Sequence, residues 1–220
     1  MTHAVPLAGV VLAAGGSRRF QGDKRLLRLA SGKTLFQAAL EPIAAHVTAI
    51  YVAIRPGEEV HESWPAFLSA AEIHYLPAAR AKLGMGFSLA DAVRCVPPGM
   101  GLMIALADMP YIQGQTVARL AASFRHSTKS APIVFPTFSA RTGMPGDGHP
   151  REARGIARRG HPVIFHHSYR DQLLELTGDS GASRIIEANP QAQVEVEVED
   201  AGVLFDIDSP EDVDALGVRN

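Results

Sequence analysis

Residues Leu7–Leu12 form a short apolar run, and the four residues after it, Ala13 to Gly16, are all small. Six apolar residues suffice for a fully buried strand and are too few for an independent helix. A strand that ends in small residues exposes successive backbone N–H groups, and such a turn makes an anion-binding nest that a ligand can approach closely. Arg19 and Lys24 follow the loop: the forked guanidinium can grip phosphate oxygens, and the lysine offers a compact charge. The pattern G-x-G-x-x-G is absent, as is the pattern ending in Gly-Lys-Ser/Thr. A dinucleotide oxidoreductase and a P-loop phosphotransferase are therefore disfavoured. The apolar run could also be the core of a signal peptide, but the basic pair Arg18-Arg19 comes after it rather than before. That order favours a strand and a cytoplasmic protein.

The rest of the chain supplies partners for such a strand. Further apolar runs occur at Ala49–Ile54, Glu72–Leu76, Leu102–Leu106 and Pro132–Phe135, and helical patterns are expected over Leu35–His46, Glu58–Ser69, Phe87–Val96 and Gln115–Arg125. Strands alternating with helices predict an α/β fold with a mostly parallel sheet, whose right-handed crossovers bring the strand C-termini to one rim. Ligands bind along that rim, where both the glycine loop and Asp108 fall. The 220 residues suit one domain spanning 1–220. Its 21 Lys and Arg against 23 Asp and Glu give no support to a nucleic-acid or polybasic membrane partner. A single cysteine, Cys95, excludes an internal disulfide framework and a multi-cysteine metal site, and it reads as helix packing. No apolar run approaches the ~18 residues of a membrane span.

The second half is less regular. Ser139 to Gly160 contains five Gly, two Pro and five Arg. We read 139–159 as a mobile loop insertion, either closing over an anionic acceptor or lying as a disordered surface loop. Val194, Val196 and Val198 alternate with Glu195, Glu197 and Glu199, as in a half-exposed strand with the valines inward. Ser209-Pro210-Glu211-Asp212 has the pattern of a helix start.

The stretch Leu12-Ala13-Ala14-Gly15-Gly16-Ser17-Arg18-Arg19-Phe20-Gln21-Gly22-Asp23-Lys24 resembles the L-A-(A/G)-G-x-S-x-R-(M/F)-G-x-x-K signature of nucleotidyltransferases acting on the molybdenum cofactor. Further blocks follow in the family's order: Gly84-Met85-Gly86-Phe87-Ser88-Leu89, Leu106-Ala107-Asp108-Met109-Pro110, Gly160-His161-Pro162-Val163-Ile164-Phe165, Gly178-Asp179-Ser180-Gly181-Ala182 and Asp206-Ile207-Asp208-Ser209-Pro210-Glu211-Asp212. Gly148-His149-Pro150 repeats the G-H-P triplet, and the apolar Val163–Phe165 behind the second copy selects His161. Gln21 stands where the family usually has Gly, and Glu72–Leu83 lacks the Asn often found there.

This resemblance implies a Rossmann-like three-layer nucleotidyltransferase fold with a mixed, mostly parallel sheet, and a Mg²⁺-dependent cytidylyl or guanylyl transfer. The G-H-P block favours CTP over GTP, with a molybdopterin-type acceptor and a possible molybdenum enzyme partner. By position, Leu12, Ala13, Ala14 and Gly15 would contact base and ribose, and Gly16, Ser17, Arg19 and Lys24 the β- and γ-phosphates. Gly84, Met85 and Ser88 would face the nucleotide from a helix start. Asp108 and Asp208 would hold the metal, with Asp206 a possible substitute, and His161 and Asp179 would lie near the acceptor. Transfer to another phosphorylated small molecule, or a non-catalytic carrier of the cofactor, are the rival readings.

Overall fold

A computed structural model describes residues 5–15, 20, 22–139, 157–209 and 212. Nine strands among these residues form one mixed sheet. They are β1 (Leu7–Leu12), β2 (Ala49–Ile54), β3 (Phe67–Leu68), β4 (Ala71–Pro77), β5 (Gly101–Leu106), β6 (Ile133–Phe138), β7 (Arg158–Arg159), β8 (Val163–Phe165) and β9 (Gln193–Glu197). The order is β3-β4-β2-β1-β5-β8-β6-β7, with β9 also paired to β6. The central strands β4, β2, β1 and β5 are parallel. Beyond them β8 runs antiparallel between β5 and β6, so the sheet is mixed.

Alternation along the strands divides the core between two faces. Val11, Val52 and Met103 pack on one side with Phe36, Leu40 and Ile43 of α1 (Leu35–Ala44) and with Val117, Leu120 and Phe124 of α3 (Gly114–Arg125). Val10, Ile104 and Phe165 pack on the other with Leu89 and Val93 of α2 (Met85–Cys95), Leu173 of α4 (Arg170–Leu174) and Ile185 and Ile186 of α5 (Ser183–Ala188). Each such side chain stabilises the fold by about 1.5–3 kcal/mol when fully buried. The result is the expected three-layer, Rossmann-like α/β architecture. At the start of α1, Thr34 accepts a hydrogen bond from the Gln37 N–H, and the Gln37 side chain accepts one from the Thr34 N–H. Two otherwise orphaned donors are thereby satisfied.

Two local expectations are corrected. Glu58–Ser69 is not a helix but a run of turns ending in β3. Pro65 interrupts it, while Trp64 turns into the core and Glu58 turns back to accept from the Arg55 N–H, contacts that a regular helix would not permit. Arg158 and Arg159, included in the loop insertion, form β7 against Thr137 and Phe138. Residues 140–156 of that insertion lie outside the described residues, as do Pro210 and Glu211 of the C-terminal block. Around β9 the valine–glutamate alternation holds, with Val196 and Val198 buried and Glu195, Glu197 and Glu199 exposed.

One buried carboxylate ties the end of β9 to the sheet. Asp200 accepts from the Gln113 N–H at 2.9 Å, the Thr116 hydroxyl at 2.7 Å and the Gly202 N–H at 3.0 Å. It thereby fastens the turn Ala201–Leu204 to the start of α3 and aims the following residues at the end of β5. Asp200→Ala leaves three donors short of an anionic acceptor and should cost about 3 kcal/mol. The midpoint of urea unfolding measures it.

Candidate active site at the mouth of the parallel strands

The ladder continues past β1 and β5: the Ala13 N–H donates to Ala53 O at 2.9 Å, and the Ala107 N–H to Leu12 O at 3.0 Å. Two loops therefore leave the sheet side by side, one carrying Ala14 and Gly15, the other Asp108. Between them opens a cavity of about 830 Å³. Leu12, Ala13, Ala14, Gly15 and Lys24 line it from the β1 side, Gly84, Met85 and Ser88 from α2, and Asp108, Asp179, Asp206 and Asp208 complete its wall. Gly16, Ser17, Arg19 and Gln21 lie outside the described residues.

Lys24 and the aspartates meet at the centre. Lys24 Nζ donates to Asp108 Oδ2 at 2.9 Å and to Ile207 O at 2.7 Å, and stands 3.5 Å from Asp208 Oδ1. The Ile207 N–H donates to Asp108 O at 2.9 Å, which draws the C-terminal Asp206-Ile207-Asp208 block against the end of β5. Asp108, Asp206 and Asp208 each present an oxygen within 4.8 Å of the others. Asp108 Oδ1 is buried and has no hydrogen-bond partner. An all-oxygen, anionic set with one unsatisfied buried oxygen fits a hard divalent cation. Asp206, read from the sequence as a substitute, stands in the cluster beside the other two.

Glycines let the remaining walls close. At Gly84 φ is +125°, and a Cβ there would lie 2.3 Å from the carbonyl carbon and oxygen of Gly178. Only glycine permits this contact, through which the start of α2 docks on the loop that carries Asp179. Gly160 abuts Val203 in the same manner: a Cβ at this position would lie 2.4 Å from Val203 O, and the His161 N–H donates to that same oxygen at 2.9 Å. His161 lines an adjoining cavity of about 350 Å³ that also includes Arg159 and Ser183. The two cavities share Leu12, Met85, Leu106 and Asp179. Burial pushes the His161 imidazole below its ordinary value despite the Ile104 carbonyl and the charges of Asp108 and Asp206, so the ring is neutral at pH 7. Its Nδ1 is buried and unpartnered.

Sequence reasoning did not assign a role to Arg25, and the structure does. The side chain is 4% exposed and binds Asp23, Glu58 and the Ala13 carbonyl, the last at 3.0 Å. Its guanidinium lies 4.5 Å over the Trp64 ring, and Arg55 joins from the rim, 2.9 Å from Glu58. Burial alone would raise the Asp23 and Glu58 carboxyls. Hydrogen bonds and charge from Arg25, aided by Arg55, outweigh it and hold both below the usual carboxylate range. The signal was invisible locally because Glu58 is 33 residues from Arg25.

A Rossmann-like sheet with a small-residue loop, a lysine and convergent carboxylates on one rim defines a nucleotide-binding transferase. The chain belongs to the MobA-like NTP transferase domain family, whose sequence profile matches residues 9–195. It is 27% identical over 223 aligned positions to the purine catabolism protein PucB of Bacillus subtilis strain 168, covering 96% of this chain and 95% of that protein. The crystal structure of Rv0371c from Mycobacterium tuberculosis H37Rv matches with a TM-score of 0.70 at 22% identity, over 96% of this chain and 97% of that one. A manganese complex of that protein matches with a TM-score of 0.61 at 22% identity, over 89% of each chain. Among the described residues no helix is long and apolar enough to cross a membrane.

The Arg25 cluster has a pH signature. Because the Asp23 and Glu58 carboxyls are depressed in the folded state, their contribution is present above their unfolded values near ~4 and is lost as pH falls through the folded ones. Arg25→Met leaves two half-buried carboxylates and the Ala13 carbonyl without their main partner and should cost about 3 kcal/mol at pH 7. The gap between the variant and the wild type should narrow towards pH 3, where the variant's carboxyls protonate; denaturant titrations at both pH values measure it.

Proposed function

We propose that this protein is a Mg²⁺-dependent cytidylyltransferase that moves CMP from CTP to the phosphate of a molybdopterin-type cofactor and releases pyrophosphate. The observation that carries the reading is the cluster of Lys24 with Asp108, Asp206 and Asp208 facing the loop Ala13–Gly15. An acceptor phosphate oxygen attacks the α-phosphorus, and the bond from that phosphorus to the pyrophosphate oxygen breaks. The acceptor phosphate is already anionic near neutral pH, so no general base is required. What the protein supplies is position and electrostatics.

In this reading the backbone of Leu12–Gly15 holds base and ribose, while Gly16, Ser17, Arg19 and Lys24 hold the β- and γ-phosphates. Gly84, Met85 and Ser88 present the N-terminus of α2 to the nucleotide. Asp108 and Asp208 hold the divalent ion with Asp206 beside them; when bound, the ion neutralises charge on the phosphate oxygens. His161 and Asp179 line the adjoining cavity, which takes the acceptor. The walls shared by the two cavities support this reading, because the acceptor phosphate can then reach the α-phosphorus. The preference for CTP rests on the Gly160-His161-Pro162 block, and the molybdenum enzyme that would receive the product is inferred from the family resemblance.

The test is pyrophosphate release with molybdopterin as acceptor, supplying CTP, GTP, UTP or ATP with Mg²⁺. CTP should support turnover, and Asp108→Asn should lower it by about 100-fold or more. Turnover with GTP alone would make the protein a guanylyltransferase. No release with any of the four would favour a non-catalytic carrier.

A further inference from the structure

Lys24 has partners that phosphate binding alone does not explain. Its ammonium lies 2.9 Å from Asp108 Oδ2 and 3.5 Å from Asp208 Oδ1, the two carboxylates read above as metal ligands. It donates a further hydrogen bond to Ile207 O, between Asp206 and Asp208. The lysine side chain is only 13% exposed, so solvent screens its charge poorly. Three carboxylates converging within 4.8 Å repel one another, and the ammonium offsets part of that repulsion. A divalent ion entering the cluster would face the ammonium across a single carboxylate, whichever oxygen of Asp108 it used.

We propose that Lys24 is the resident cation of the carboxylate site and holds off a free divalent ion until its side chain leaves. The inference rests on the proposed function for the identity of the ion and the nucleotide. The backbone of Lys24 is fixed: the Leu27 N–H donates to Lys24 O at 3.1 Å, and the neighbouring Arg25 is buried. Only the side chain has to swing. A triphosphate on the glycine-loop side offers the ammonium new anionic oxygens, and its departure leaves the carboxylates with negative charge that a divalent ion neutralises. Ion and nucleotide then favour each other's binding, and thermodynamic linkage makes that coupling reciprocal.

Mn²⁺ titrations of the full chain, followed by electron paramagnetic resonance without nucleotide, test this directly. Lys24→Met should bind Mn²⁺ about tenfold or more tightly than the wild type. Lys24→Arg, which keeps the charge, should bind it as weakly as the wild type. If Lys24→Met does not fold, Lys24→Gln carries the same comparison. Unchanged or weaker Mn²⁺ binding in the neutral variant overturns the proposal, since a lysine that serves phosphate alone has no reason to oppose the free ion. Calorimetry of CTP binding separates this from the proposed function. Mn²⁺ should tighten CTP binding to the wild type. Absence of CTP binding beside a gain of Mn²⁺ affinity in Lys24→Met would overturn the nucleotide reading and uphold the resident cation.

Discussion

Everything at the candidate site depends on bringing like charges together. Asp108 stands at the end of a central strand, whereas Asp206 and Asp208 arrive from about a hundred residues further along the chain, and their carboxylates converge within 4.8 Å. Two hydrogen bonds hold that convergence, the Ile207 N–H to Asp108 O and Lys24 Nζ to Ile207 O. Behind them stands Asp200, whose three hydrogen bonds fix the preceding turn. The fold meets the repulsion with a rigid backbone and one ammonium, leaving a buried oxygen of Asp108 unsatisfied. Such a site favours a cation, here the Lys24 ammonium, because the cost of assembling the charges is met by the rest of the structure.

The path of the chain just after β1 is held by a different contact. Small residues permit a close approach of the backbone to a ligand but do not by themselves fix its path. Here Arg25 grips Ala13 O from behind while Asp23 and Glu58 grip Arg25. A buried guanidinium is costly to desolvate, and two carboxylates with a tryptophan face compensate for it. The segment Glu58–Ser69, expected as a helix, is a run of turns that provides those contacts.

Much of this was legible in the sequence because it follows local periodicity. The boundaries of β1 and β2 coincide with the apolar runs Leu7–Leu12 and Ala49–Ile54, and the Val194–Val198 alternation assigns its faces correctly. The glycine loop and Asp108 could be placed on one rim since strand order and crossover handedness leave few alternatives, whereas the Asp206–Asp208 block was tied to them only by the family resemblance. Two kinds of feature escaped. The antiparallel insertion of β8 between β5 and β6 depends on long-range pairing that three residues of Val163–Phe165 cannot announce. The Arg25–Glu58 pair and the lost helix at Glu58–Ser69 are one event seen from two ends, a tertiary charge contact overriding local propensity.

In the proposed reading this rim binds a nucleoside triphosphate together with a divalent ion. The most direct measurement is a thermal-shift panel of CTP, GTP, UTP and ATP, each with and without Mg²⁺. A ligand at about 100 times its Kd adds ~2.7 kcal/mol, roughly 5–11 °C for a chain of this size. A shift of that order is expected for CTP with Mg²⁺, larger than for CTP or Mg²⁺ alone. No shift with any of the four nucleotides in the presence of Mg²⁺ would contradict it.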